Sequence, residues 1–487
     1  MKNRVLLINA RTDTGIPAYI PSGLCSIAAV LRQNGIDCAI LDRTVDSTDI
    51  KEVMRQHDAA IYGISVLTGP VILDAIETSK AIKANDPDAI VVWGGLHPTI
   101  CPESVLNEQY VDYIVRGEGE YPMVELCQHI FHKRGELSQI QNLGYRMDSR
   151  HVLNPMRPWI DLETLPLPAW DMLKMENYFL TKHYARRAVN LNTSRGCPHR
   201  CAFCYNEAVN KRKWRGVSAR RVVEMIEYMQ KHHDVDGVFF HEDNFDVSRK
   251  RMTEFCNLLL EKGIQVHWEH FSRVGYVTEE RLALEKKAGC AVISYGIESG
   301  SDELLEEMTK DQTVDQILKA IPIWEKIGID VAVSIMIGYP DQTIEDVEKS
   351  LELVEKIKPF HVSPTMFNPY PGTPLFDQVI QRGLFRFPTR LEDQGKLYNL
   401  WNFDLNTSRI PKAYLQQISS RYDFQNTINQ LLGFLRYRNF AGLWRVFRYK
   451  VNRKLIKTFW RGVLAEFSPK KAAATPTNEN ARCPARP

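Results

Sequence analysis

Three cysteines stand close together in the middle of the 487-residue chain, in the segment RGCPHRCAFCY at 195–205. Their spacing places Cys197, Cys201 and Cys204 in one loop, so that three thiolates converge on one centre. Iron–sulfur clusters are held by such thiolates, normally four of them. Because no fourth cysteine lies nearby in the sequence, one iron of such a cluster would stay open to a substrate or cofactor. A zinc ion is the alternative, with His199 as a fourth ligand.

The pattern Cys-x3-Cys-x-aromatic-Cys after a first strand resembles the signature of the radical S-adenosylmethionine (SAM) superfamily. The resemblance implies a [4Fe-4S] cluster whose open iron is chelated by the amino and carboxylate groups of SAM. It also implies an external electron donor of the flavodoxin or ferredoxin type, and a 5′-deoxyadenosyl radical that takes hydrogen from the substrate. Phe203, the aromatic residue of the pattern, is expected beside the adenine of SAM.

The same resemblance extends to polar residues further along the chain, each with a structural alternative. Arg273 is expected to pair with the carboxylate of SAM, because a planar guanidinium matches a carboxylate, or else to form a surface salt bridge. Glu298 in GIESG is expected to accept hydrogen bonds from the ribose or amino group of SAM, or else to cap the next helix. Glu242 and Asp243 in HEDNF are expected to hold the ribose or the substrate, with a structural role equally open.

These residues need a scaffold that brings them to one place. From residue 188 to 385, apolar runs alternate with amphipathic stretches, which predicts strands separated by helices. Six such units are too few for an eight-stranded barrel and suit a partial (β/α)6 barrel, whose active groups lie at the carboxyl ends of the strands. The candidate residues fall at those ends. The predicted strands cover 189–193, 237–241, 266–271, 292–297, 331–337 and 361–367.

Residues 1–140 show the same alternation of strands and helices, which predicts a Rossmann-like parallel sheet covered on both faces. Such sheets bind ligands beyond the carboxyl ends of their strands. The segment resembles the cobalamin-binding domain that precedes many radical SAM enzymes. The matching features are PSGL at 21–24, GIS at 63–65, GGLHPT at 94–99 and RGEGE at 116–120. The resemblance implies contacts to cobalamin from Ser65, Gly94 and Gly95.

One departure from the cobalamin-binding family concerns the metal ligand. The Asp-x-His-x-x-Gly signature, which supplies a histidine to cobalt in other cobalamin proteins, is absent. The radical SAM subgroup often lacks this signature, so we expect cobalt without a protein histidine and no role for His97 in its coordination. A vestigial domain that binds no cobalamin is the alternative.

The remaining segments are predicted from their composition. Residues 141–187, with little periodicity and spaced prolines, are predicted to be a connector, 386–467 a helical region and 468–487 a disordered tail. The stretch 436–471 carries eleven basic residues against one acid, and Trp and Phe recur in it at helical spacing. Such a helix is typical of contact with an anionic membrane surface. Packing on the barrel is the main alternative, and no nucleic-acid partner is expected.

The overall composition sets further bounds. The net charge of +3 is small because 62 basic and 59 acidic residues nearly cancel. No stretch reaches the roughly 18 apolar residues of a spanning helix. The opening MKNRVLLINA reads as a buried strand and not as a signal peptide. The expected location is therefore the cytoplasm, with contact at the membrane periphery left open, and the ten cysteines are expected to be mostly reduced.

The expected activity is methylation of an unactivated carbon through methylcobalamin, on a small molecule that is lipid-like or tetrapyrrole-like. The second candidate is a non-methylating radical oxidation, cyclisation or rearrangement, as in the anaerobic magnesium-protoporphyrin monomethyl ester cyclase type. A methylthiotransferase is disfavoured, because no second set of cysteines has cluster spacing among Cys25, Cys38, Cys101 and Cys127. A sensor that binds cofactor without turning SAM over is the non-enzymatic alternative.

Overall fold

The computed structural model describes residues 3–11, 17–148, 150–397 and 402–450, without the side chains of 445 and 447–450. These residues form two seven-stranded sheets, one in each half of the chain, with helices packed against them. The predicted fold is confirmed: an α/β chain with a Rossmann-like first domain, a partial barrel and a helical C-terminal region.

The first sheet contains β1 (Arg4–Asn9), β2 (Asp37–Asp42), β3 (Ile61–Ser65), β4 (Ile90–Gly94), β5 (Tyr113–Val115), β6 (Leu143–Met147) and β7 (Arg150–Leu153). Its order is β2-β1-β3-β4-β5-β6-β7, parallel as far as β5 and antiparallel after it. Val5 and Leu7 of β1 face one buried apolar cluster and Leu6 and Ile8 face another, so the sheet is covered on both faces. The helices of this half are α1 (Ser22–Gln33), α2 (Ile50–His57), α3 (Val71–Asn85), α4 (Leu96–Ile100), α5 (Pro102–Leu106) and α6 (Glu120–His132).

The second half contains β8 (Leu180–Lys182), β9 (Ala185–Leu191), β10 (Ser194–Arg195), β11 (Arg215–Gly216), β12 (Gly237–Phe240), β13 (His267–Ser272), β14 (Cys290–Glu298), β15 (Asp330–Ile337) and β16 (His361–Met366). Six of these strands are parallel, in the order β16-β15-β14-β13-β12-β9, and β8 pairs antiparallel with β9. Strands β10 and β11 form a separate two-stranded ribbon. The carboxyl ends of the six parallel strands therefore share one edge.

The helices of the second half lie between these strands and beyond them. Two of them begin at capping boxes, with Thr313 and Thr343 as the caps, and this fixes where the chain leaves the preceding strand. The helices are α7 (Asn206–Asn210), α8 (Ala219–His233), α9 (Arg249–Glu261), α10 (Glu279–Lys287), α11 (Asp302–Glu307), α12 (Val314–Ile327), α13 (Ile344–Ile357), α14 (Pro374–Gln381), α15 (Leu391–Gly395), α16 (Lys412–Arg436) and α17 (Phe440–Lys450).

The segment predicted as a connector begins with secondary structure that the sequence analysis does not predict. Strands β6 and β7 form a hairpin that extends the first sheet past residue 140. Gly144 lies within β6, where a Cβ would come 2.6 Å from Ile114. Glycine is depleted in strand interiors, so a position that needs it for close packing hides the strand from a pattern search. The barrel likewise starts earlier than predicted, at β8 and β9.

The helical C-terminal region contacts both domains. Helix α16 lies along β16, where the side chain of Asn426 accepts from Val362 N at 2.8 Å and donates to Val362 O at 2.7 Å. Helix α15 reaches the first domain, and its Leu391 is buried in one of that domain's apolar clusters. No helix within the described ranges is long and apolar enough to cross a membrane. Residues 451–467 of the predicted helical region and the predicted tail lie outside the described residues.

Candidate functional site

The cluster loop, residues 196–205, follows β10 at the carboxyl edge of the barrel sheet. Gly196 opens the loop with φ +84°, and a Cβ there would lie 2.2 Å from the carbonyl oxygen of Lys213, so only glycine fits. The middle of the loop is held by a backbone hydrogen bond from Ala202 N to Met308 O at 2.9 Å. The chain is therefore fixed both at the start of the loop and between its second and third cysteines.

A zinc ion at the three thiols would need a fourth protein ligand beside them. His199, the proposed fourth zinc ligand, instead places Nε2 at 2.8 Å from the hydroxyl of Tyr276. Three thiols in one loop, with His199 engaged elsewhere, fit a [4Fe-4S] cluster with one open iron better than a zinc ion.

The surroundings of these thiols act on the thiolate form in two opposite ways, through burial and through hydrogen-bond donors. Burial raises the pKa of Cys204 to about 12 and also raises the pKa of Cys197, so both thiols keep their protons until a cluster displaces them. Arg273 Nη1 lies 3.3 Å from Cys201 Sγ, and Asn244 Nδ2 lies 3.9 Å from Cys197 Sγ. Donors directed at sulfur stabilise its anionic form.

Arg273 does not fit the surface salt bridge that was its alternative. The residue is 8% exposed, and its Nη2 atom is buried with no hydrogen-bond partner among the described residues. The side-chain oxygens of Asn244 and Asn368 are also buried and unpaired there. Buried polar atoms without partners are rare in native proteins, so several of them at one strand edge indicate a ligand site. The pairing of Arg273 with the SAM carboxylate stays a prediction.

Glu298 ends β14 in the left-handed region, with φ +59°, next to a register shift against β15. It is paired with Lys310, whose Nζ lies 2.8 Å from Oε1, and both side chains are buried. Lys310 also lies 6.0 Å from the ring centroid of Phe203. The next helix, α11, has no side-chain cap, so the capping alternative for Glu298 is not found. The sequence analysis missed Lys310, because a lysine after a short helix carries no motif of its own.

Glu242 and Asp243 are adjacent in sequence and differ in their surroundings. Both carboxylate oxygens of Glu242 accept hydrogen bonds, one from the amide and hydroxyl of Thr193 and the other from the hydroxyl of Ser194. This arrangement corresponds to the structural alternative, since Glu242 fastens the end of β12 to the segment that leads into the cluster loop. Asp243 is exposed to a cavity and accepts from the first amide of the loop at 3.0 Å and from the Tyr205 hydroxyl at 2.7 Å.

A cavity at the carboxyl edge of the first sheet is lined by glycines and apolar side chains, and we call it the first cavity. The structure brings Ser65, Gly94 and Gly95 together on its wall. Gly95 has φ +98°, and a Cβ there would come 3.0 Å from the carbonyl oxygen of Val66. A Cβ at Gly23, another lining residue, would meet nothing within 4 Å, so there is open space beside it. The first cavity has a volume of about 110 Å³, and the glycines on its wall allow a bound group to approach the backbone closely.

His97 does not line the first cavity. Its side chain is fully buried, and Nδ1 lies 3.3 Å from the hydroxyl of Thr68. Burial lowers the pKa of His97 to about 4, so the ring is neutral near pH 7. The histidine is therefore a packing residue beneath the cavity wall in this structure.

A second cavity, of about 590 Å³, lies between the two domains. Gly23, Ile27, Gly117 and Gly119 line both cavities, so the two spaces adjoin. The barrel supplies the opposite wall. Its residues there include Asn192, Ser194, Arg195, His241, Asp243 and Phe271. The second cavity thus joins the first cavity to the cluster loop.

Aromatic residues narrow the mouth of the barrel beside the second cavity. Tyr19 of the first domain stacks on His241, with ring centroids 4.6 Å apart. Phe239 lies 5.0 Å from His241 and 5.5 Å from Phe271, again between ring centroids. The backbone of the residue after Tyr19 donates to the side chain of Asn190 at 2.7 Å and accepts from it at 3.3 Å. The first domain therefore supplies part of the lining of the barrel.

Comparisons with known proteins agree with this geometry. The model of the Radical SAM superfamily matches residues 191–354, and that of the B12 binding domain matches residues 16–127. The chain is a radical SAM protein with a B12-binding domain. As a radical SAM protein it is an enzyme, and its domains imply a [4Fe-4S] cluster, SAM and cobalamin as cofactors.

The relatives of this radical SAM protein include a protein named as a methyltransferase and another named as a cyclase. It is 29% identical over 459 residues to an uncharacterized methyltransferase of Pyrococcus horikoshii, covering 91% of this chain and 98% of that protein. It is 28% identical over 391 residues to the anaerobic magnesium-protoporphyrin IX monomethyl ester cyclase of Rubrivivax gelatinosus, covering 77% and 70%. Among solved structures it resembles the methyltransferase TsrM from Kitasatospora setae, with a TM-score of 0.65 and 18% identity over 78% of this chain and 75% of that one. The last likeness is one of fold.

Proposed function

We propose that this radical SAM protein is a cobalamin-dependent methyltransferase that acts on an unactivated carbon of a small molecule. The observation that carries the proposal is the pair of adjoining cavities, one at the edge of the B12-binding domain and the other reaching the cluster loop. A substrate in the second cavity lies between the two cofactor sites. When bound, the cluster with SAM supplies hydrogen abstraction and cobalamin supplies a methyl group.

The residues of the chain hold and orient these groups. The thiols of Cys197, Cys201 and Cys204 hold the cluster, and the unpaired nitrogen of Arg273 offers a buried donor beside them. We infer that this donor binds the SAM carboxylate. Lys310 lies close enough to Phe203 to contact the same molecule, and Glu298 balances its charge.

The lining of the barrel mouth favours a substrate with an apolar body. The rings of His241 and Phe271 line the second cavity, and Tyr19 stacks on His241. Asn192 and Asp243 lie on the same wall and can bind a polar end of the substrate. These features support a lipid-like or tetrapyrrole-like small molecule.

The test uses the full chain, reconstituted without oxygen with iron, sulfide and hydroxocobalamin, and supplied with SAM that carries a deuterated methyl group. The reductant is an external donor of the flavodoxin or ferredoxin type, which we propose as the partner. Methylation through cobalamin leaves S-adenosylhomocysteine, whereas radical formation leaves 5′-deoxyadenosine. We expect both compounds, together with a product that carries three deuterium atoms when an extract of host small molecules is added.

The second candidate is a non-methylating radical oxidation, cyclisation or rearrangement. The likeness to the magnesium-protoporphyrin IX monomethyl ester cyclase favours it, because it covers 77% of this chain. The same assay separates the two candidates: 5′-deoxyadenosine without S-adenosylhomocysteine contradicts methylation and supports the second candidate.

We further propose that the C-terminal region touches an anionic membrane surface. Phe440 and Trp444 of α17 are 63% and 70% exposed, whereas Val446 of the same helix packs against Phe434 of α16. The helix is therefore partly packed, as the alternative expects, and partly apolar toward solvent. The basic residues beyond 450 lie outside the described residues.

Vesicle sedimentation tests this contact. Binding to anionic vesicles should fall several-fold when Phe440 and Trp444 are both changed to alanine, and should weaken as salt rises. Leu318→Ala is the control, because Leu318 is 38% exposed on a barrel helix away from α17. Equal binding by the double variant and the wild type contradicts the proposal.

A further inference from the structure

The segment Arg116–Gly117–Glu118–Gly119–Glu120 faces both sites at once. Its two glycines line the first cavity, at the carboxyl edge of the first sheet. Gly117 has φ +69°, which L side chains rarely adopt, and a Cβ at Gly119 would lie 2.9 Å from the end of the Ile27 side chain. The two glutamates between and after these glycines make contacts with the barrel. We call residues 116–120 the hinge segment.

The glutamates of the hinge segment are bound by two arginines of the β10–β11 ribbon. Arg195 donates to Glu118 at 2.8 Å and to Glu120 at 2.5 Å, and Arg215 donates to Glu118 at 2.7 Å. Arg195 and Arg215 lie opposite each other in the ribbon. The side chains of Glu118 and Glu120 are only 10% and 3% exposed.

The charges in this group balance, two guanidinium groups against two carboxylates. Ser26 also donates to Glu120 at 2.7 Å, and Ile160 N donates to the second oxygen of Glu118 at 2.9 Å. Removal of one partner from a buried ion pair leaves a charge without compensation, which is strongly unfavourable. The relative position of the hinge segment and the ribbon is therefore tightly specified.

Arg195, which contacts both glutamates, precedes the cluster ligand Cys197 by two residues. Only Gly196 separates Arg195 from Cys197, and a Cβ at Gly196 would lie 2.2 Å from a backbone oxygen. The amide of Gly196 is held by Asp243 at 3.0 Å. Because this junction has so little freedom, a shift of Arg195 must be accommodated by the start of the cluster loop.

We propose that Glu118 and Glu120 are positioning residues that couple occupancy of the cobalamin cavity to the geometry of the cluster loop. A ligand that presses on the glycine side of the hinge segment changes where the carboxylates hold Arg195, and the change reaches Cys197. Cobalamin and SAM then alter each other's affinity, since coupling between two sites is reciprocal. The proposal concerns binding at the two sites and does not depend on methyl transfer.

The test measures the dissociation constant of SAM by oxygen-free equilibrium dialysis, on full-length protein with a reconstituted cluster, with and without saturating hydroxocobalamin. We expect hydroxocobalamin to change this constant by about fivefold or more in the wild type, the lower end of typical coupling. In Glu120→Gln the ratio of the SAM dissociation constants measured without and with hydroxocobalamin should approach one. Iron and sulfide content should stay at the wild-type level. Arg195→Lys should give an intermediate ratio, because one ammonium cannot match two carboxylates.

The matched control is Arg32→Gln. Arg32 forms another ion pair of the first domain, with Asp171 of the following segment at 2.6 Å, and contacts neither the hinge segment nor the ribbon. Its ratio should equal that of the wild type. A wild-type ratio of one overturns the proposal. So does a Glu120→Gln ratio equal to the wild type, even if the melting temperature falls, because the contact is then only structural.

If Glu120→Gln does not accumulate as folded protein, hydrogen exchange in the wild type decides. The amides of 194–197 should become more protected when hydroxocobalamin is added, because the ribbon and the loop are held through the hinge segment. Unchanged exchange at these amides overturns the proposal. This readout is independent of turnover, so it separates failure of the coupling from failure of the proposed methylation.

Discussion

The two cofactor sites of this chain are built in opposite ways. The cluster site consists of side chains, namely three thiols, the Arg273 guanidinium and the Glu298–Lys310 pair. The first cavity is shaped by missing side chains. Its glycines are Gly23, Gly63, Gly94, Gly95, Gly117 and Gly119. A site of the first kind fails when a group is removed, and a site of the second kind fails when a group is added. The two sites should therefore respond to opposite kinds of mutation.

The largest expected effect comes from removing the thiols. With Cys197, Cys201 and Cys204 all changed to alanine, the protein should lose its brown colour and its roughly four irons and four sulfides per chain. Formation of 5′-deoxyadenosine should fall below detection. Hydroxocobalamin binding should persist, because none of the three thiols lines the first cavity. SAM cleavage by the triple variant would contradict the assignment of the cluster.

Adding one methyl group should damage the other site. In Gly95→Ala the new Cβ meets the backbone of Val66 at 3.0 Å and stands at φ +98°, so we expect retained hydroxocobalamin to fall about tenfold. Gly135→Ala is the control, since Gly135 has φ +75° and open space around its Cβ position. Iron content should not change in either variant. Equal losses in both variants would mean that backbone strain, and not the cavity wall, sets the effect.

This difference also explains how much the sequence could predict. The thiols follow from spacing alone, because three ligands in one loop are a local property. The β/α order follows from hydrophobic periodicity, and strand β1 lies within the opening MKNRVLLINA that was expected to be a buried strand. Ser65 and Gly95 were reached through a family resemblance, since an isolated glycine has no chemistry to recognise.

Groups that depend on long-range contacts could not be predicted. Lys310 meets Glu298 across a strand end, and Arg195 meets Glu118 across 77 positions of sequence. Glu242 shows the converse: its place in a motif suggested a ligand, yet the donors of Thr193 and Ser194 occupy both of its oxygens. Only the fold reveals which carboxylates are already satisfied.

A smaller effect should come from Lys310→Met at the cluster site. The change keeps most of the volume and removes the cation, which leaves Glu298 buried without its partner at 2.8 Å. We expect the SAM dissociation constant to rise about five- to tenfold, with hydroxocobalamin binding unaltered. Lys319→Met is the control, because Lys319 is exposed and pairs only with Asp315 in the described structure. An unchanged SAM affinity would assign the pair to folding alone.

The smallest expected effect is at His97, and it tests whether the cavity is as free of side-chain chemistry as its lining suggests. A neutral imidazole is a good metal ligand, and the pKa of about 4 keeps His97 neutral near pH 7, so charge does not exclude it. The position of His97 does exclude it as a cobalt ligand. The ring is fully buried between Thr68 and Gln394 and is not part of the cavity wall. His97→Ala should therefore leave the absorption spectrum of bound hydroxocobalamin unchanged, although the lost packing should lower the melting temperature. A spectral shift in this variant would mean that the histidine reaches cobalt after all, and the cobalamin site would then depend on a side chain in the same way as the cluster site.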